Sequence, residues 1–563
     1  MNNQGVYREQ TTMVFNRITN FWKSFDIISK LFYGLTFIIL CSLFIENHLF
    51  SISHELLSFR EIDDVAFQST IKRVHVLIDN MQFSMLFEIN DYAYGWIFWA
   101  PIAILTYPLY LLGENFSIYW PIITAPRQIS LLFGILSLYI IRKILLKNDI
   151  SEKSIAITVL LFALFPTFGY FSLRFGTVNA VMFFSLLTFY LALKNTPSTS
   201  KGRFFIVLSL AVAGGIKLSG LLIAPLIFAL VVLRYERESM SRTIRDLVIS
   251  SLVFILLLIA FTNPALFTYP FNEMVGHKYL EILQHFIGIT KIASGATDPY
   301  LRFFEAVFGS GLNFIAITML FIGIILNLIK NKTARFDMLA IIAVILIASL
   351  YLFFNVTNGK SAGLYFTSIS FLFLLGVIGW SGTRFGFIIL VILLALFSTD
   401  LFNRVLNLND DKNLSWHHLS YYIKKSESKD KLDTANDISR CINILNKKKW
   451  SGHVFVDFTL PTGFNALTYP RACISFAWNN LSPSGSYCPQ RPVDFLVLDN
   501  AAPGYLPDQE FEEKLQLSDQ VIAEGLQVDR TSRKNLIENG YFGNQKFTLV
   551  CEFDQAKIYK AVK

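Results

Sequence analysis

The chain has 563 residues, of which 53% are hydrophobic and only 16% are charged. Its mean hydropathy of +0.48 excludes an ordinary soluble globular protein and predicts a polytopic α-helical membrane protein. The net charge of +8 comes from basic residues spread over short loops, as the positive-inside rule expects, so no nucleic-acid partner is predicted.

Apolar windows recur between residues 28 and 402. A helix needs roughly 20 apolar residues to cross the hydrocarbon core, and about 11 to 13 crossings are predicted here. The clearest spans are 28–46, 94–113, 127–146, 152–168, 177–193, 203–216 with 218–233, 247–266, 305–329, 335–353, 362–380 and 385–402. The first span lacks a small-residue cleavage site, so we expect it to be retained, with 1–27 as a cytoplasmic segment.

The loops predict the orientation in the membrane. Basic loops at 234–245 and 330–335 belong to the cytoplasm. The first loop (47–93), the second loop (267–302) and the tail (403–563) are then on the periplasmic or extracellular side of a cell (inner) membrane. One conflict stays open, because two crossings after the first loop would put the basic loop 142–153 outside. Either one stretch between residues 92 and 147 is re-entrant, or 203–233 is one long broken helix and the lysine-rich loops break the rule.

Acidic residues mark both ends of the first loop. Asp63 and Asp64 follow the first span, and Asp91 stands where the chain re-enters the membrane. Apolar residues at helical spacing between them predict helices along the membrane interface. A carboxylate in a water-poor site can act as a general base. The alternatives are a solvated turn for the pair and a helix cap for Asp91.

Basic residues interrupt or border the apolar spans. Lys217 lies in a long apolar run, where an ammonium group is costly unless it faces an anion or a water-filled cavity; a snorkelling lysine is the alternative. Arg174 follows a proline that ends its helix, and Lys360 lies in a short external turn. His277, in the second loop, could hold a divalent metal ion with a carboxylate or simply be solvated. No Walker loop or HExxH motif is present, and no nucleotide cofactor is predicted.

The tail has the composition of a separate domain. Apolar runs at 453–458, 472–478, 494–499, 547–553 and 556–562 predict strands, and 433–447 predicts a helix, which together indicate an extramembrane α/β or α+β domain. Four cysteines lie here, at Cys441, Cys473, Cys488 and Cys551. In an exported domain they could form two bridges, and Cys473 with Cys488 is the pair closest in sequence after a β-like run.

The order of these motifs resembles the GT-C superfamily of membrane glycosyltransferases, specifically its protein O-mannosyltransferase and lipid A aminoarabinose-transferase branch. The resemblance covers roughly residues 28–400. Asp63-Asp64-Val65-Ala66-Phe67 is similar to the acidic motif after the family's first span. The stretches PRQISLLFGILSLYIIRKIL with Arg127, FPTFGYFSLRFGTVNA with Arg174, GGIKLSG with Lys217 and NPALFTYPFNEMVGH are similar to further family elements in the same order, and Asn179 stands near the position of a family aspartate.

The resemblance implies an inverting glycosyltransferase that moves a sugar from a polyprenyl-phosphate donor to a hydroxyl of a lipid, surface glycan or protein. Asp63 would be the general base. Asp64 and Asp91 would orient the acceptor or hold a divalent metal ion with His277. The phosphate and substrate contacts would come from Lys217, Arg174, Lys360, Arg127, Arg60 and Tyr92.

Two departures from the family pattern affect these roles. Ala66 stands where the aminoarabinose branch has an arginine, so Arg60 or another cation would have to substitute. Tyr92 begins a Tyr-Ala-Tyr-Gly stretch where the family has K-P-P-L or H-P-P-L. Three other functions remain open, namely a lipid-linked polysaccharide polymerase or ligase, a secondary transporter, and a non-catalytic scaffold. A transporter should show paired similar halves, which are not evident.

Overall fold

The described residues as far as 406 lie mostly in apolar helices. In this computed structural model they are α1 (Ile27–Ile52), α2 (Trp96–Phe116), α3 (Trp120–Lys147), α4 (Glu152–Ala163), α5 (Pro166–Ser172), α6 (Val178–Lys194), α7 (Ser200–Ile216), α8 (Met240–Thr262), α9 (Leu312–Lys330), α10 (Phe366–Ser381) and α11 (Gly386–Leu406). The structure describes residues 25–52, 70–71, 74–75, 77–81, 95–116, 120–194, 199–217, 220–221, 240–264, 312–330, 366–381, 383, 385–406, 437–438, 440–441, 452–457, 473–477, 492–500, 507–516, 520–553 and 556–562.

These helices agree closely with the predicted spans. Within the described ranges, three are long and apolar enough to cross a membrane, at Ile27–His48, Pro121–Lys147 and Ile244–Thr262, and Trp96–Leu112, Val178–Lys194 and Gly386–Leu396 are shorter apolar helices. The predicted spans at 335–353 and, apart from residues 220–221, at 218–233 lie outside the described residues. The chain is therefore a multi-pass membrane protein, as predicted.

Helices α1 and α3 are antiparallel neighbours. Near the end of α1, the Phe44 carbonyl accepts a hydrogen bond from Gln128 Nε2 at 2.9 Å. Near its start, the Tyr33 hydroxyl accepts one from Arg142 Nε at 3.2 Å. We call the end of the bundle that contains Phe44 and Gln128 the loop end, because the first loop follows α1 there, and the other the opposite end.

The next helices alternate between these two ends. Glu152, which begins α4, pairs with Arg142 at 2.9 Å at the opposite end. Ser172, which ends α5, accepts a hydrogen bond from Asn47 Nδ2 at 2.9 Å at the loop end. Helix α6 returns to the opposite end and α7 comes back, and Arg203 near the start of α7 pairs with Asp246 near the start of α8 at 3.1 Å.

Helix α2 does not cross the bundle. Its first residues lie at the loop end, since the amide of Gly95 donates to the Ile216 carbonyl at 3.2 Å. Its last turns are also at this end, because Tyr110 packs against Ile122 and Ile123 at the start of α3. The structure thus decides the open conflict in favour of a non-crossing stretch between residues 92 and 147, and the basic loop 142–153 lies at the same end as the start of α1.

The tail forms a mixed six-stranded sheet with strands β1 (His453–Asp457), β2 (Cys473–Ala477), β3 (Phe495–Asp499), β4 (Tyr541–Phe542), β5 (Gln545–Glu552) and β6 (Ala556–Ala561), and with helices α12 (Asp508–Gln516) and α13 (Gln520–Asn539) before β4. The strand order is β2-β1-β3-β6-β5-β4. β1 is parallel to β2 and β3, and β6 is antiparallel to β3 and β5. Every residue of β1 and β3 is buried, which explains their uninterrupted apolar sequences.

A disulfide links Cys441 to Cys551 across 110 residues of sequence. This bond joins cysteines that are far apart in sequence, because β5 brings Cys551 next to the helical residues around Cys441 in the tail core. Cys488 and the side chain of Cys473 lie outside the described residues, so a bridge between them stays a prediction. The predicted helix 433–447 is described only at residues 437–438 and 440–441, which are helical.

Candidate active site

An apolar cluster at the loop end joins several segments that carry predicted site residues. Its buried members include Phe98 and Trp99 of α2, Phe175, and Ile216 at the end of α7. Ile71 and Val74 belong to it as well; they come from the helical residues 70–71, 74–75 and 77–79 of the first loop, which we call segment 70–79. We call this group the loop-end cluster. It confirms that the predicted first loop contains helical residues, and it places them against the membrane helices.

Lys217 ends α7 beside this cluster. Its backbone is extended, and its amide still donates to the Ala213 carbonyl at 3.3 Å while its carbonyl accepts from the Gly220 amide at 2.8 Å. Gly95 packs against this helix end so tightly that a Cβ atom there would overlap the Gly215 carbonyl. The start of α2 is therefore fixed next to Lys217. Asp91 precedes Gly95 by four residues, so their Cα atoms can be at most roughly 14 Å apart.

Arg174 lies in a short link between α5 and α6 that is held at both sides. Asn179 Nδ2 donates to the Ser130 carbonyl and to Ser172 Oγ, both at 3.1 Å. The Gly176 amide donates to Ser130 Oγ at 3.2 Å. Phe175 stacks on Phe98, with ring centroids 5.5 Å apart. These contacts fix the backbone around Arg174 at the edge of the loop-end cluster.

Arg127 lies in the first turns of α3 and is only 2% exposed. Its neighbour Gln128 binds the Phe44 carbonyl of α1, and Ile129 packs against the loop-end cluster. Burying a guanidinium in a membrane domain is costly unless anionic or strongly polar groups face it. The position of Arg127 thus adds a third cation to the end of the bundle that already holds Lys217 and Arg174.

Three of the five predicted cations of the site lie within the described residues. Arg127, Arg174 and Lys217 come from three separate segments, and a residue within two positions of each packs in or against the loop-end cluster. The predicted residues Asp63, Asp64, Asp91, Tyr92, Arg60, His277 and Lys360 lie outside the described residues. No group of three or more His, Cys, Asp and Glu side chains forms a metal site within the ranges that the structure describes.

Two polar residues of α1 join this end and were not predicted. Glu46 is 7% exposed, and its Oε1 atom is buried without a hydrogen-bond partner within the described ranges. Asn47 donates to the Ser172 carbonyl and so connects α1 to the link that carries Arg174. Their signal in the sequence is the Ile-Glu-Asn-His break at the end of an apolar span, which can also be read as an ordinary span boundary.

No protein-family profile matches the chain, and no curated protein sequence matches it. Among solved structures, it is similar to ArnT from Cupriavidus metallidurans bound to undecaprenyl phosphate, with a TM-score of 0.54 and 12% identity over 94% of this chain and 97% of ArnT. The apo state of the same protein gives 0.53 and 11% over 94% and 98%. The Archaeoglobus fulgidus oligosaccharyltransferase in the apo form gives 0.40 and 11% over 86% and 72%.

Proposed function

We propose that this protein, which has the GT-C fold of the ArnT structures as its motifs predicted, is a glycosyltransferase that takes a sugar from a polyprenyl-phosphate donor. The acceptor is a hydroxyl group on a lipid, a surface glycan or a protein. The observation that carries the proposal is that Arg127, Arg174 and Lys217, which come from three segments, each lie within two residues of a side chain in or against the loop-end cluster. ArnT, which shares the fold, was crystallised with undecaprenyl phosphate.

Three cations beside an apolar surface suit a ligand with a phosphate head and a hydrocarbon tail. Charge-assisted hydrogen bonds from Lys and Arg to phosphate are stronger than neutral ones. The low dielectric of a membrane domain increases their strength further. As the sugar leaves, negative charge accumulates on the phosphate, so Lys217, Arg174 and Arg127 would stabilise the transition state more than the ground state.

In the proposed reaction, the acceptor oxygen attacks the anomeric carbon as the bond from that carbon to the phosphate oxygen breaks. Asp63 takes the proton from the acceptor hydroxyl, and polyprenyl phosphate leaves with the bonding electrons. Attack opposite the leaving group inverts the anomeric configuration. Asp64 and Asp91 would orient the acceptor or, with His277, hold a divalent metal ion, and no step in this scheme depends on that ion.

The proposed location is the cell (inner) membrane, with the loop end and the tail on the periplasmic or extracellular side. The Cys441–Cys551 disulfide supports an exported tail, because structural disulfides persist in oxidising compartments. The basic residues around the turn between α3 and α4, at the opposite end, support a cytoplasmic position for that turn.

A transfer assay with the purified full chain in liposomes tests this proposal. The liposomes would contain one of a panel of radiolabelled polyprenyl-phosphate sugars, and cell-envelope extract would supply the acceptors. We expect label to move from the donor to a lipid, glycan or protein fraction, with inverted configuration at the anomeric carbon by NMR. Failure of every donor to lose its sugar, with correctly inserted protein, would contradict the proposal.

A further inference from the structure

His75 attaches the helical segment 70–79 of the first loop to α2. Its side chain is completely buried, and Nε2 lies 2.9 Å from the Ala103 carbonyl and 3.1 Å from Thr106 Oγ1. The imidazole packs on the rings of Tyr110 and Tyr107, with centroids 4.9 and 5.9 Å away. One histidine thus makes both polar and aromatic contacts across the two segments.

The hydrogen bonds determine which nitrogen of His75 carries the proton. The Ala103 carbonyl can only accept, and Thr106 Oγ1 already donates to the Ile102 carbonyl at 2.7 Å. Nε2 must therefore donate, and Nδ1 is the bare nitrogen. Nδ1 is buried and has no hydrogen-bond partner among the residues that the structure describes. An apolar side chain would avoid that cost, so the polar contact is best explained by the specific alignment of segment 70–79 on α2.

The contact between His75 and α2 lies close in sequence to the predicted acidic residues of the first loop. Segment 70–79 begins six residues after Asp64, and α2 begins five residues after Asp91. The same segment places Ile71 and Val74 in the loop-end cluster with Phe175 and Ile216. We propose that His75 is a positioning residue, which docks the first loop on α2 beside the loop-end cluster of the proposed site. The proposal rests on the proposed function.

The docking is expected to weaken in acid. A second proton on His75 would sit on Nδ1, which faces no acceptor in the described part of the chain. The groups that face the ring in the described structure are Asp79 of the same segment and the hydroxyl-bearing rings of Tyr107 and Tyr110, and the Asp79 carboxylate already accepts from the Tyr107 hydroxyl at 2.5 Å. Burial lowers the pKa of His75 from 6.5 to about 4, although the Ala103 carbonyl and Asp79 oppose the shift.

Acid weakens the docking because the pKa of His75 is lower in the docked state than in the undocked state. Above the ordinary pKa of 6.5, the docked and undocked states are both neutral at His75, and docking has its full strength. Between that value and about 4 only the undocked state binds the proton, so docking weakens as the pH falls. At about pH 5.5 the equilibrium constant for docking should be about tenfold lower than at about pH 7.5.

Two variants separate the hydrogen bond from the titration. His75→Gln keeps an N–H donor but cannot take up a proton, and His75→Phe keeps a ring but has no donor. Asn80→Ala, at an exposed position after the same segment, is the control. The readouts are backbone hydrogen exchange of residues 70–81 in the full-length protein and the pH profile of sugar transfer.

We expect His75→Phe to exchange faster and transfer more slowly than the wild type at neutral pH, while His75→Gln and Asn80→Ala behave like the wild type. At about pH 5.5 the wild type should exchange about tenfold faster than His75→Gln under the same conditions. Its transfer rate should also fall more in acid. Equal exchange of wild type and His75→Gln in acid, or unchanged exchange in His75→Phe, would overturn the proposal. Because exchange needs no activity, a wild type that transfers no sugar contradicts the proposed function alone.

Discussion

Replacing Arg533 by methionine should destabilise the tail domain by about 3–5 kcal/mol, because it leaves two buried carboxylates without their cation. Arg533 Nη2 lies 2.7 Å from Asp457 Oδ1, and its Nε lies 2.9 Å from Asp529 Oδ2. The three side chains are 2%, 5% and 4% exposed, respectively, so solvent cannot take over the lost contacts.

Hydrogen exchange of the β1 amides in the full-length protein measures this loss. Val454, Phe455 and Val456 are at most 1% exposed, and they should report the opening of the whole sheet. The expected loss corresponds to roughly two to four orders of magnitude in the opening constant. Lys534→Met, one residue further along α13, is the matched control. Its ion pair with Glu538 is exposed, so the change should be about 0.5 kcal/mol or less.

The stability loss in Arg533→Met should also depend on pH, through the protonation of Asp457. Burial raises the pKa of the Asp457 carboxyl, although Arg533 opposes that shift. Without Arg533 the pKa should rise further, so the native state of Arg533→Met binds a proton that the unfolded chain releases. The stability deficit of the variant should therefore shrink as the pH falls. Adding Asp457→Asn and Asp529→Asn should recover most of it. Exchange in Arg533→Met within threefold of the Lys534→Met control would refute this reasoning.

Three further predictions concern the membrane domain and the disulfide. Lys217→Ala should weaken the binding of a polyprenyl-phosphate donor by about tenfold or more, the loss expected for a hydrogen bond to a charged group, whereas Lys201→Ala at the exposed start of α7 should not; equal affinities would contradict the phosphate assignment. Cys551→Ser opens a bond between residues 110 apart in sequence and should cost the tail about 4–5 kcal/mol, measured by hydrogen exchange as above, with unchanged exchange as the contrary outcome. Asn148→Cys, in the turn after α3, should react with an impermeant maleimide only in permeabilised cells, and reaction at position 148 in intact cells would reverse the orientation.

The apolar pattern predicted the membrane helices but not their directions. The predicted span 127–146 corresponds to α3, and 177–193 corresponds to α6, because both helices are apolar over the length of a crossing. Helix α2 has 21 residues and is largely apolar, so hydropathy alone predicted a crossing. That it begins and ends on one side depends on Gly95 meeting Ile216 and on α1 pairing with α3. These contacts between distant segments leave no local signal.

In the tail, too, the sequence predicted local elements but not the contacts between distant segments. Five of its strands were predicted because buried apolar runs such as Phe495–Asp499 are evident in the sequence. Helices α12 and α13 were not predicted, since their buried apolar side chains, such as Phe511 and Leu536, are separated by charged and polar residues in the sequence. The partner of Cys441 depends on how the sheet packs against the helical residues of the tail. Within the site, the resemblance predicted Arg127, Arg174 and Lys217, while Glu46 and His75 could be identified only from their burial.

The central claim is that Asp63 is the base in transfer from a lipid-linked donor. It is tested most directly by single-turnover transfer with Asp63→Asn, beside Asp149→Asn, an exposed acid in the turn after α3 whose positive φ of 54° an asparagine also adopts. With donor affinity retained, loss of the base should slow transfer by roughly 10²- to 10⁴-fold in Asp63→Asn, and the Asp149→Asn control should match the wild type. Transfer by a correctly inserted Asp63→Asn protein at the wild-type rate would contradict the account.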